Sequence, residues 1–161
     1  MPDQSDPPKD QSPFWLFELF TEIGIIEQLS RALLEARLPD GIIAPHFAVL
    51  NHLMRGRDGQ TPLTLARAFQ TPKTSMTHTL KVLEKRGLIA LKSNPDDGRS
   101  KQAWITDAGR ILIGTTITDL AATYSRFSQD LDMQSLGQIK PALSALRSYL
   151  DNQRDTDIDN R

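Results

Sequence analysis

The chain has 161 residues, no cysteine, 24% charged side chains and a formal net charge of −1. That length suits one domain with tails rather than a catalytic domain joined to a cofactor domain, and the missing thiols exclude disulfide frameworks, cysteine zinc sites and thiol redox switches. Its apolar runs are broken by Glu, Arg or Lys short of the roughly 18 residues of a membrane span, and the first residues lack a secretory pattern, so a cytoplasmic protein is expected.

Residues 1–12 are rich in Pro, Asp, Gln and Ser, and 153–161 ("QRDTDIDNR") are nearly as poor in apolar side chains, so both are expected to be disordered tails, the second acidic. From Phe14 to Leu38 the residues Leu16, Phe20, Ile23, Ile26 and Leu33 share one helical stripe, and Pro39, Asp40 and Gly41 supply the stop. A second helix is predicted from about Pro45 to Arg55, with Phe47, Leu50, Leu53 and Met54 facing inward and "GRDGQ" breaking it. Two units then begin alike, "TPLTLARAF" and "TPKTSMTHTLKVLEKRG", each with Thr at the N-cap position and Pro as first helical residue. They predict two helices joined by a tight turn around Gln70.

In the second of these helices, at 72–86, Met76, Leu80 and Leu83 point inward. The opposite stripe carries Thr74, His78, Lys81 and Lys85, flanked by Ser75 and Thr77. Gly87 reads as the C-terminal stop, Leu88 to Lys92 as a strand, "NPDDG" as a turn and Gln102 to Ile105 as the return strand. Thr106 caps a further helix with Ile113, Ile117, Leu120, Tyr124, Phe127 and Leu131 at steps of four and three. A last segment repeats Leu136, Ile139, Leu143, Leu146 and Leu150 in the same way, and both are narrow coiled-coil-like seams. Pro141 either kinks this last helix at Gly137 or marks its first turn.

Helix, turn, helix and hairpin, in that order, form a winged helix-turn-helix. The fold class is therefore mainly α with a small β-hairpin wing, flanked by further helices. Between Arg67 and Lys101 eight cations face three anions, a net +5 that leaves −6 elsewhere, the asymmetry of a protein with one polyanion-binding face. Thr74, Ser75, Thr77 and His78 suit base edges in a major groove, and Lys73, Lys81 and Lys85 suit phosphates. On the wing at 93–101, Arg99 suits a narrow minor groove, Asp97 is placed to hold its guanidinium, and Lys101 follows.

These residues resemble the MarR family, the multiple-antibiotic-resistance regulators. "DGRSK" and "TDAG" match the family's wing pattern, "LEKRGLI" at 83–89 the end of its recognition helix, and "PHFAVLNHL" at 45–53 its second helix. The likeness covers about residues 14–152. One departure is Gly98, where the family often has a second Arg; it leaves one cation at the wing tip and implies a looser minor-groove contact. The resemblance implies an obligate homodimer that sets two recognition helices on a pseudo-palindromic double-stranded operator. Residues 14–40 with 106–152 then serve as the dimerisation region around a DNA-binding part at 41–105. It also implies an effector cleft beside the winged domain, with Phe14, Trp15, Phe17, His46, Phe47 and Arg55 as candidate lining for a small molecule.

A catalytic reading finds little, because His46, His52 and His78 are scattered, no phosphate loop or nucleophile elbow is present, and neither metal nor cofactor is expected. The stronger rival is a winged helix used as a protein-interaction module without DNA binding. The two seams likewise admit packing within one chain as the alternative to dimerisation.

Overall fold

The computed structural model describes residues 13–159. These contain six helices, α1 (Pro13–Glu35), α2 (Ala44–Met54), α3 (Pro62–Ala68), α4 (Lys73–Lys85), α5 (Asp107–Asp130) and α6 (Met133–Asp159), and one antiparallel hairpin of β1 (Ile89–Asn94) and β2 (Asp97–Ile105). They fall into two compact units, one up to Leu120 and one from Ala121 onward, so that α5 belongs to both. Among the described residues no helix is long and apolar enough to cross a membrane. The segment 1–12 expected as a tail lies outside the described residues.

The core of the first unit is the interior of the winged helix. Leu50, Leu53, Leu65, Leu80 and Leu83 are fully enclosed, joined by Met76, Ile89, Ala103, Ile105 and, from α5, Ile113. The inward stripe expected of α4 is the buried one. Thr61 caps α3 as expected, its Oγ1 accepting the Thr64 N–H at 3.2 Å. Thr71 does not repeat this for α4: Pro72 takes the cap position, and the Thr71 N–H instead bonds back to the Ala66 carbonyl at 2.9 Å, closing the turn. Gln70 in that turn has φ 54°, the left-handed geometry that lets α3 and α4 meet so abruptly.

The end of α4 is fixed by backbone chemistry. Gly87 has φ 70°, its N–H reaches Glu84 and the Leu88 N–H reaches Leu83, a Schellman closure. Thr106 then ties the next helix to the same spot, donating from Oγ1 to the Gly87 carbonyl at 2.7 Å while accepting the Gly109 N–H at 3.1 Å. Gly109 has to be glycine here, because a Cβ would lie 2.3 Å from the Leu88 carbonyl oxygen. A second tie comes from Asp58, in the loop read only as a breaker. Its carboxylate accepts the Ile105 N–H at 2.8 Å and pairs with Arg110 at 2.9 Å. Beside it Gln60 bridges to Ala103, adding a short third rung to the base of the hairpin.

In the second unit, Asp132 caps α6 by accepting the Gln134 and Ser135 N–H groups at 3.0 and 3.2 Å, and the Ser135 hydroxyl bond holds its carboxyl below the usual aspartate range. The helix begins at Met133, so Pro141 lies inside it and is not its first turn. It continues to Asp159, through most of the segment read as a tail, since no Pro or Gly after Pro141 interrupts it. Leu136, Ile139, Leu143 and Leu150 are exposed along α6, as are Tyr124, Phe127 and Leu131 at the end of α5.

Gly109→Ala should lower unfolding free energy by about 1–3 kcal/mol, because a backbone carbonyl cannot step aside as a flexible side chain can. Gly114→Ala, where nothing lies within 4 Å of the added methyl, should be neutral or stabilising. Urea denaturation at one fixed protein concentration compares them, and equal effects would show that the junction is not tight.

Candidate nucleic-acid interface

The outer surface of α4 divides into two flanks. On one flank Lys73, Thr77 and Lys81 share a groove of about 720 Å³ with Asn94, Asp97, Arg99, Ser100 and Lys101 of the wing. The other flank, with Thr74, Ser75 and His78, borders a separate cleft of about 950 Å³ toward α1 and α2. Lys73 and Lys81 thus converge with the wing, while Thr74, Ser75 and His78 turn the other way. All the sequence-predicted α4 residues are exposed except Thr77, which is half-buried. The Thr77 hydroxyl donates to the Lys73 carbonyl at 2.8 Å, so what it offers outward is lone pairs, suited to an amino group on a base edge. Lys85 is exposed in the last turn, where a cation also complements the helix dipole.

Two cations of the basic stretch are occupied elsewhere. Arg86 donates to the Asp40 carbonyl at 2.6 Å, tying the end of α4 to the loop before α2. The Lys92 ammonium stands 5.1 Å from the centre of the Trp104 ring. Within the groove, Glu84, one of the three anions of the basic stretch, adds a negative charge, and Thr61 adds a hydroxyl from outside that stretch.

The wing differs from expectation in its turn. Pairing continues to Asn94↔Asp97, so only Pro95 and Asp96 form the loop, and Arg99 lies on β2 instead of at the tip. The register slips between Ser93↔Lys101 and Asn94↔Asp97, which leaves Gly98, Arg99 and Ser100 as a bulge on β2. Asp97 does not hold the guanidinium. Its Oδ1 accepts the Arg99 backbone N–H at 3.1 Å, and among the described residues no ion pair joins the two side chains. A short Asx-type bond to its own backbone is favoured over ordering the long, solvated Arg side chain.

The candidate effector residues are dispersed. Phe14, Trp15 and Phe17 are 70%, 50% and 67% exposed on the first turns of α1, Arg55 is exposed just after α2, and Phe47 is in the core. His46 alone of the six lines the 950 Å³ cleft, together with Glu27 and Arg31 of α1. It is 6% exposed, and its Nδ1 accepts the Ile43 N–H at 3.1 Å, which fixes a neutral ring with the proton on Nε2. Burial, and then the neighbouring His78, push its pKa below the usual histidine value.

Residues 40–100 match the model of the MarR family. Among solved structures, a crystal structure of MarR is similar at a TM-score of 0.72 and 19% identity, covering 93% of this chain and 98% of that one. The Streptomyces coelicolor regulator PcaV, in complex with its natural ligand, gives 0.65 and 18% over 89% of this chain and 97% of its own. An organohalide-sensing transcriptional regulator in its 2,4-dichlorophenol-bound form gives 0.70 and 17% over 91% and 86%. At these identities the structural likenesses speak for the fold.

The His46 geometry has a pH signature. Folded His46 holds its proton less tightly than unfolded His46, so its contribution to stability is complete above about pH 6.5 and is lost as pH falls through that value toward the lower folded pKa. Urea midpoints measured between about pH 8 and 5 should decline on the acid side, and His46→Gln should flatten that decline. An unchanged slope in the variant would assign the decline to another group.

Proposed function

We propose that this chain belongs to the MarR family and acts as a dimeric, sequence-specific DNA-binding regulator of transcription, a repressor released by a small-molecule effector. The observation that carries the reading is the groove in which Lys73 and Lys81 of α4 meet Arg99 and Lys101 of the wing. Four cations around one channel match a phosphodiester strand passing between a major groove that holds α4 and a minor groove that holds the wing. Thr74, Ser75 and His78 then read base edges, and Lys85 adds a phosphate contact at the helix end.

Dimerisation is supported by the apolar side chains left open on α1, at the end of α5 and along α6, among them Phe17, Ile26, Phe127 and Leu143. Faces of this kind on a single chain call for a partner, and a second copy is the commonest one. The effector belongs in the cleft beside His46. Thr74, Ser75 and His78 form part of its wall, so an occupant touches the recognition helix directly. Such a molecule releases DNA only to the extent that it prefers the arrangement of α4 that DNA does not. PcaV with its natural ligand and the dichlorophenol-bound regulator are precedents within the same fold.

DNA fragments selected by the protein from genomic or random pools supply the duplex, and fluorescence anisotropy over a salt series supplies the test. Lys81→Ala should weaken binding to every sequence and reduce the salt slope by about one unit, whereas Thr74→Ala or His78→Ala should cost about 1–3 kcal/mol on the selected site alone. Light scattering at micromolar concentration should return twice the chain mass. Affinity that ignores ionic strength would instead indicate a protein-docking winged helix, and a monomer mass would remove the two-site operator.

A further inference from the structure

The wing bulge is organised by a residue to which the sequence pattern gave no role. Asn94, half-buried at the end of β1, makes three side-chain hydrogen bonds. Its Oδ1 accepts the Asp96 N–H at 3.1 Å and Gln102 Nε2 at 3.2 Å, and its Nδ2 donates to Ser100 Oγ at 3.0 Å. The Ser100 hydroxyl in turn donates to the Asp97 carbonyl at 3.1 Å. On the other side of Arg99, Asp97 accepts the Arg99 N–H. The single bulged cation is therefore flanked by two pinned positions: Asp97 acts from one side, and Asn94 through Ser100 from the other.

We infer that Asn94 is the positioning residue of the wing, holding the bulge of Gly98, Arg99 and Ser100 in the shape that presents Arg99 to a DNA minor groove. The chemistry requires an amide at position 94. Two of its bonds need an acceptor and the third a donor on a separate atom, so a carboxylate lacks the donor and a hydroxyl would have to serve all three partners from a single oxygen. Gly98 gives the reason such a clamp matters here. It adds backbone freedom directly before Arg99, and that freedom would spread the guanidinium over many positions unless its neighbours were fixed. Pre-ordering removes that loss from the binding step, which is how a residue that never touches DNA raises affinity for it.

This inference rests on the reading that the wing meets DNA, and a double-mutant cycle separates the two. Anisotropy at one fixed salt concentration, on a duplex selected by the parent protein from a random-sequence pool, compares the parent, Asn94→Ala, Arg99→Ala and the double variant. Asn94→Ala should weaken binding about tenfold in the parent and less than about twofold once Arg99 is gone, because its effect passes through that side chain. Ser100→Ala cuts the same clamp while leaving the Asx turn at Asp96 intact, and should show the same dependence on Arg99. It keeps the test decisive if Asn94→Ala loosens the whole hairpin. Equal losses from Asn94→Ala or Ser100→Ala with and without Arg99 would make the network merely structural and overturn the inference, as would silent variants beside a damaging Arg99→Ala. If Arg99→Ala itself binds like the parent, the wing reading fails first and the positioning role falls with it.

Discussion

The carbonyl oxygen of Leu88 is where the winged helix is held together. It accepts the Thr106 N–H at 3.1 Å and lies against Gly109 so closely that no larger residue fits. The residue before it, Gly87, ends α4 and takes the Thr106 hydroxyl, and the residue after it begins β1. Helix α4, the hairpin and α5 thus leave one small patch of backbone. Because backbone has no rotamers to change, the spacing between α4 and the hairpin is set by covalent geometry and close contact. Asp58 adds a second brace from the far side by binding both the end of β2 and Arg110 of α5. The charged groove between helix and wing inherits its width from these ties.

Burial is distributed to the same end. The enclosed leucines of α2, α3 and α4, with Ile89, Ala103 and Ile105 of the hairpin, give the winged helix its own core. The long helices contribute little to it beyond Ile113, and most of their large apolar side chains are open in the single chain. At about 25 cal/mol for each Å² removed from water, apolar faces of that extent represent a substantial driving force for association. A rigid reading head on helices that seek a partner is the physical content of the proposed dimeric regulator. The cleft beside His46 then lies against α4, with Thr74, Ser75 and His78, the side chains proposed to read bases, in its wall.

Much of this was legible in the sequence. Steps of three and four marked every long helix, Thr61 and Thr106 announced their caps, and the inward residues of α4 are the buried ones. What escaped depended on partners distant in sequence or on choices among local hydrogen bonds. Nothing in "TPKTS" says that Thr71 will close a turn backward when Thr61, in the same dipeptide, caps forward. Asp97 next to Arg99 suggested an ion pair, yet the carboxylate found a backbone N–H two residues on. The bulge is set by Asn94 and Gln102 reaching across the hairpin, which strand periodicity does not encode. Arg86 and Lys92 counted toward a basic face until the Asp40 carbonyl and the Trp104 ring were seen to engage them.

The account comes down to two copies of one rigid face meeting one duplex, and hydroxyl-radical footprinting on a selected DNA fragment tests that most directly. The account predicts two equivalent protected regions related by a dyad, their centres about one helical turn or roughly 10 base pairs apart, with flanking minor-groove protection where the wings lie. A single unsymmetrical patch, or a duplex cleaved evenly along its length at saturating protein, would contradict it.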